Sequence, residues 1–214
     1  MNTLEFIQEQ KVIAIVRNIS SDKISYLAEA MVKGGLHCIE ITFDHTSAEK
    51  AEDTLKGIQV LRKNFGGDVS VGAGTVLTPE EVDRAVEAGA EYIISPNVNF
   101  DVIRRTKELG KVSIPGALTP TDILSAYEQG ADIVKLFPAA VFGPAYLKAV
   151  KAPLKHIPMT AVGGITPDNI ADFLAAGACG AGVGGNLVSP KLVEEGRFDE
   201  IAAVARSYAQ AVLQ

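Results

Sequence analysis

Short apolar, β-branched runs alternate with amphipathic stretches along the chain. The apolar runs cover 11–17, 38–43, 69–75, 92–96, 111–115, 133–138, 158–164 and 180–185. Each is short and mostly apolar on both faces, as expected of a parallel strand covered by helices. The intervening stretches read as helices. One is predicted over 21–33, opening on Ser21 and closing on Gly34-Gly35. Thr78-Pro79-Glu80-Glu81 combines an N-cap threonine, a first-turn proline and acidic residues, and its helix should stop at Gly89. Thr119-Pro120 and Thr166-Pro167-Asp168 repeat the device, with stops at Gly130 and Gly177. Residues 1–10 read as a short leading helix, and a last helix is predicted over about 199–213.

Eight strands alternating with helices predict a single-domain (β/α)8 TIM barrel over residues 1–214, with a short N-terminal helix. The alternative is an open, doubly wound sheet. No G-x-G-x-x-G follows the first strand, which weakens the dinucleotide-binding version. Composition fits an ordinary globular chain, with 47% hydrophobic and 21% charged residues. The formal charge of -6 is spread without a basic arm or stripe, so nucleic acid is not the expected partner. Cys38 and Cys179 form no C-x-x-C pair, and reduced thiols in the cytoplasm are expected. Residues 1–10, with Glu5 and Glu9, do not read as a signal peptide, and no apolar run is long enough to span a membrane. His37, His45 and His156 have no metal-site spacing, so no metal is expected.

Barrel enzymes place their chemistry at the C-terminal ends of the strands. Lys135 shares one strand face with Ile133 and Phe137. Burial there favours the neutral amine, which is the form that attacks a ketone. The bland reading is a lysine that snorkels outward or pairs with a carboxylate. Glu40 lies between Ile39 and Ile41 and reads either as a general base or as half of a buried Glu–Lys ion pair. Arg17 ends the first strand and reads as an anion-binding fork or as an exposed salt bridge. Gly163-Gly164 and Gly184-Gly185 follow the last two strands, where many such barrels hold a phosphate on backbone N–H groups.

These residues, read together, resemble the 2-keto-3-deoxy-6-phosphogluconate (KDPG) and 4-hydroxy-2-oxoglutarate (KHG) aldolases. The resemblance runs nearly end to end. It is carried by 12–17 (Val-Ile-Ala-Ile-Val-Arg), 39–42 (Ile-Glu-Ile-Thr), 72–77 (Gly-Ala-Gly-Thr-Val-Leu), 94–97 (Ile-Ser-Pro-Asn), 135–138 (Lys-Leu-Phe-Pro) and 163–165 (Gly-Gly-Ile). It implies reversible cleavage of KDPG to pyruvate and glyceraldehyde 3-phosphate through a lysine Schiff base, without metal or cofactor, in a protein that is usually a trimer. On that resemblance Lys135 is the Schiff-base lysine, Glu40 the general acid/base and Thr75 a contact to the pyruvate carboxylate. Arg17, Pro96, Phe137 and Val162 line the substrate site, and Gly163, Gly164, Gly184 and Gly185 form the phosphate region.

The chain also departs from the family pattern. Where one branch has an arginine after the second strand, this chain has Phe43-Asp44-His45. Ala161-Val162 replaces a common Pro-Thr, and Gly185 replaces a common serine. The Ala-Val-Gly-Gly form, Ser95-Pro96-Asn97 and Phe142-Gly143-Pro144 resemble the 6-phosphogalactonate (KDPGal) branch. KDPG and KDPGal differ in one hydroxyl configuration, so loss of a threonine hydroxyl at Val162 predicts looser stereoselectivity. Two further readings are a phosphate-binding isomerase or epimerase that uses Glu40 without covalent catalysis, and a non-enzymatic ligand sensor.

Overall fold

The computed structural model describes residues 1–213. Its strands are β1 (Val12–Val16), β2 (Cys38–Thr42), β3 (Ser70–Gly74), β4 (Tyr92–Ile94), β5 (Val112–Ile114), β6 (Gly116–Ala117), β7 (Val134–Leu136), β8 (Met159–Val162) and β9 (Gly180–Val183). All pairings are parallel, in the order β5-β4-β3-β2-β1-β9-β8-β7-β6. The two ends of that order, β5 and β6, are separated in sequence only by Pro115. They are two halves of one bent strand, and the bend nearly closes the barrel. Proline has no N–H to give to a ladder, so a break in pairing falls there at little cost. The Pro115 carbonyl still accepts the Lys135 N–H at 2.9 Å, which ties the bend to β7. The fifth predicted strand is therefore split, and it extends to Ala117 rather than ending at Pro115.

The helices are α1 (Thr3–Gln10), α2 (Ile24–Lys33), α3 (Ala48–Phe65), α4 (Pro79–Glu87), α5 (Phe100–Glu108), α6 (Pro120–Glu128), α7 (Ala139–Lys151), α8 (Ile170–Ala175), α9 (Pro190–Glu194) and α10 (Phe198–Ala211). Thr78 and Thr119 cap α4 and α6 in reciprocal capping boxes, with Glu81 and Asp122 as partners. Gly89, Gly130 and Gly177 follow these helices and α8 in left-handed conformation, as the stop signals predict.

Two predicted starts are wrong. Ser21 does not cap α2; its N–H and hydroxyl both donate to Asp53, at 3.0 and 2.6 Å, and the helix begins at Ile24. Thr166 does not cap α8 either. Its N–H donates to Asn169 Oδ1 at 2.9 Å, and 166–169 form a turn before a six-residue helix. In neither case does the hydroxyl accept an N–H of the following turn among the described residues, which is what a cap requires.

The core has two layers. Between strands and helices lies an extensive apolar shell including Leu27, Met31, Ile58, Leu61, Ile93, Leu136 and Phe173. Inside the barrel, Ile13, Cys38, Tyr92, Ile94, Val112, Ile114 and Ile133 pack together, and Ile7 of α1 plugs the N-terminal mouth. The interior is thus filled below the strand ends, so a ligand site within the barrel lies at the opposite mouth. The helix ring is closed by α10 against α2, where the absence of a side chain at Gly34 lets the backbone lie against Ala202 and Ala205.

Candidate active site

At the C-terminal mouth of the barrel lies a cavity of about 340 Å³. Its lining includes every residue of the expected set: Arg17, Glu40, Thr75, Pro96, Lys135, Phe137, Val162, Gly163, Gly164, Gly184 and Gly185. These residues come from seven different strands or strand ends, and barrel closure is what brings them together. Ile15, Ile165, Gly182 and Asn186 complete the wall. The sequence shows Ile165, Gly182 and Asn186 only as neighbours within the glycine motifs and Ile15 only as part of the first strand, although Ile15 and Gly182 stand two residues before Arg17 and Gly184 and so share their strand faces.

Lys135 and Glu40 are both buried, with 8% and 1% of their surfaces exposed. Neither takes part in an ion pair within 4.0 Å among the described residues. The bland reading of a direct Glu–Lys pair is therefore not what this structure contains. Burial pushes the Lys135 amine below the ordinary lysine range; the Glu40 charge opposes that shift and Arg17 reinforces it. Burial pushes the Glu40 carboxyl above the ordinary range against the pull of Lys135 and Arg17. Each group is thereby moved toward its neutral form. Lys135 Nζ stands 4.9 Å from the centroid of the Phe137 ring, a position that favours positive charge at that nitrogen.

Room for the Glu40 carboxylate is made by Gly74. A Cβ at that position would overlap Glu40 Oε1, Cδ and Cγ, so no larger residue fits on β3 there. Oε2 of Glu40 is buried and has no hydrogen-bond partner in the protein. Buried polar atoms are normally paired, and an exception on a carboxylate that lines a cavity marks a group kept for use.

Thr75, one residue past β3, has φ 56°, in the left-handed region. For a β-branched residue that conformation costs on the order of 1–3 kcal/mol. It is held from the far side. Val76 N–H donates to the Ile94 carbonyl at 3.2 Å, and Ser95 Oγ donates to the Val76 carbonyl at 2.7 Å.

Arg17 is exposed and makes no ion pair among the described residues, so its guanidinium is available to an anion in the cavity. Across the mouth, Gly163 and Gly164 have φ of 95° and 77°. A side chain at Gly164 would meet Ala140, and one at Gly163 the Phe137 ring. The N–H groups of Gly164, Ile165, Gly185 and Asn186 have no acceptor among the described residues. Together they form a cluster of backbone donors on one side of the cavity, suited to an anion. A Cβ at Gly185 would meet nothing within 4 Å, so the serine common in relatives would fit there. No group of three or more metal-ligating side chains occurs among the described residues.

The sequence matches the family described as "KDPG and KHG aldolase" over residues 4–204. It is 37% identical over 201 residues to the 2-dehydro-3-deoxy-6-phosphogalactonate aldolase of Escherichia coli, covering 94% of this chain and 95% of that protein. It is 33% identical over 207 residues to the 2-dehydro-3-deoxy-phosphogluconate aldolase of Haemophilus influenzae, covering 95% and 93%. Among solved structures it is similar to one described as "Native KDPGal structure", with a TM-score of 0.84, 36% identity and 94% of each chain covered. With a barrel whose strand ends converge on a lysine and a carboxylate, the chain belongs to the KDPG and KHG aldolase family and is a carbon–carbon lyase.

Proposed function

We propose that the chain is a class I aldolase that cleaves KDPG to pyruvate and glyceraldehyde 3-phosphate on a Schiff base at Lys135. The observation that carries this reading is the unpaired Lys135–Glu40 couple at the floor of a cavity lined by anion-binding groups. The neutral Lys135 amine attacks the C2 ketone and gives a carbinolamine. Loss of water, with Glu40 as proton donor, leaves a cationic iminium and an ionised Glu40. The new positive charge beside Glu40 opposes its burial penalty, so the base forms when it is needed. Glu40 then takes the C4 hydroxyl proton, and the C3–C4 bond breaks as its electron pair moves into the iminium. The aldehyde leaves and an enamine remains. Glu40 returns the proton to C3, and water hydrolyses the resulting iminium to pyruvate and free Lys135.

In this reading Thr75 and Arg17 hold the keto-acid carboxylate, and Arg17 replaces the arginine missing after β2. The amide cluster at 163–165 and 184–186 holds the phosphate, and binding energy far from the breaking bond orients the substrate. Val162 favours KDPGal as a second substrate, because its methyls present no hydrogen bond to tell the two hydroxyl configurations apart. The unphosphorylated KHG, split to pyruvate and glyoxylate, is a further substrate in this reading, since Gly185 lacks a serine hydroxyl. The working form is a cytoplasmic homotrimer without metal or cofactor, as the family resemblance implies. An isomerase, epimerase or sensor would leave Lys135 without a task.

The test is pyruvate release from KDPG, KDPGal and KHG by the wild type, Lys135→Ala and Val162→Thr. The reading predicts cleavage that Lys135→Ala abolishes, and a KDPG/KDPGal ratio that Val162→Thr changes. Full activity in Lys135→Ala would contradict covalent catalysis, and an unchanged ratio would remove Val162 as the discriminator.

A further inference from the structure

A second buried oxygen without a protein partner lies in the barrel interior. The hydroxyl of Tyr92, a fully buried residue on β4, has no hydrogen-bond partner in the protein. A phenol O–H on a residue packed in the interior cluster with Ile13, Ile94, Val112 and Ile114 is costly unless something accepts its proton.

The direction of the ring says what that acceptor is. Tyr92 pairs in register with Gly72 on β3, and Gly72 pairs with Glu40 on β2. A Cβ at Gly72 would overlap Tyr92 Cδ2, Cε2 and Cζ, so the ring lies across β3 where Gly72 leaves space. The charges that act on its hydroxyl include those of Cys38 and Glu40, both on β2, which places the hydroxyl toward that strand. The inward groups there are Cys38 and Glu40. Of these, Glu40 holds the other orphaned oxygen, Oε2. Two glycines two residues apart thus clear the two halves of one path: Gly72 for the Tyr92 ring and Gly74 for the Glu40 carboxylate.

We propose that Tyr92 is a positioning residue for Glu40. Its hydroxyl donates through one buried water to Oε2, and so holds the carboxylate from the barrel interior while the other oxygen faces the cavity. This rests on the aldolase reading above. The groups facing Glu40 are then Lys135 from β7, Arg17 from the end of β1, Tyr92 from β4 and Cys38 on its own strand. Burial first, then Cys38, Glu40 and Glu91, keep the phenol of Tyr92 protonated, so it is a donor throughout the working pH range. A donor to Oε2 stabilises the ionised carboxylate. Removing it raises the pH at which Glu40 becomes a base.

The test uses exchange of the C3 protons of pyruvate in D2O, which reads enamine formation by Glu40 without the sugar phosphate. Its pH profile is compared for the wild type and Tyr92→Phe, with borohydride trapping of pyruvate as a separate measure of iminium formation. The expected result is an acid limb moved upward by roughly half a unit or more, that is about a three-fold slower exchange on that limb. Trapping at the plateau pH is unchanged. Superimposable profiles would overturn the role of Tyr92 while leaving the aldolase intact. Failure of the wild type to trap pyruvate would instead overturn the aldolase reading, and this inference with it. A merely structural tyrosine would change the melting temperature and not the profile. Should Tyr92→Phe fold poorly, a high-resolution crystal structure of the wild type decides. One water bridging the Tyr92 hydroxyl and Oε2 supports the proposal; a hydroxyl turned to another acceptor overturns it.

Discussion

Lys135 and Glu40 are held where burial works against their charges, and that has an opposite effect on stability and on chemistry. Lys135, with its pKa depressed, weakens folding as pH falls from its unfolded value through its folded one. Glu40, with its pKa raised, weakens folding as pH rises from its unfolded value through its folded one. Between those limits the native state carries a buried group in its disfavoured form or neutralises it. Lys135→Met keeps the length of the stem and removes the amine. It is expected to abolish cleavage while raising stability by about 1–3 kcal/mol, read by denaturant unfolding at neutral pH. A variant less stable than the wild type would mean that the amine is stabilised by a contact absent from this account. Both residues were legible in the sequence, because a charge amid Ile39, Ile41, Ile133 and Phe137 is conspicuous. Tyr92, Gly72 and Gly74 were not. An aromatic residue in an apolar strand reads as core, and only the three-dimensional path across β3 shows why the two glycines precede Thr75. Gly185 gives a residue-level test of the phosphate region. Gly185→Ser fits without displacement and is expected to lower KM several-fold for the phosphorylated substrates but not for KHG; an equal effect on both would place the phosphate elsewhere.

Among the helices, one motif written three times has two outcomes. Thr78 and Thr119 close capping boxes on α4 and α6, whereas Thr166 stands outside α8 and its hydroxyl caps nothing. Thr78→Ala and Thr119→Ala are each expected to cost about 1 kcal/mol of unfolding free energy, and Thr166→Ala clearly less on this account. Urea unfolding of the three variants checks this, and equal losses would contradict the cap assignments. The difference was hidden in the sequence because the residue three on accepts the threonine N–H in all three places, Glu81 from Thr78, Asp122 from Thr119 and Asn169 from Thr166, and only the return bond to the hydroxyl is missing at Thr166. Ser21 was misread for a related reason: its partner Asp53 is 32 residues away, beyond the reach of a local pattern. The strands were the more legible elements. All eight predicted runs contain a strand core; in seven, pairing stops before the apolar pattern does, and in the fifth it resumes beyond Pro115.

Taken as one barrel, the chain owes its site to closure. Alternation of strands and helices told of a barrel, but the order of pairing and the bend at Pro115 are long-range facts that periodicity does not carry. Closure sets Thr75 and Pro96 on one side of Lys135 and the glycine loops on the other, around a mouth whose floor is sealed by the interior core. That arrangement explains why residues scattered from Arg17 to Gly185 read as one site only once the strand-end rule was applied. It also frames the central claim, that Lys135 is the nucleophile. Incubation with pyruvate and borohydride, followed by mass analysis of the intact chain and its peptides, tests it most directly. One reduced pyruvate adduct per chain is expected, carried on the peptide that contains Lys135 and absent from Lys135→Ala. No adduct, or an adduct that survives in Lys135→Ala, would contradict it.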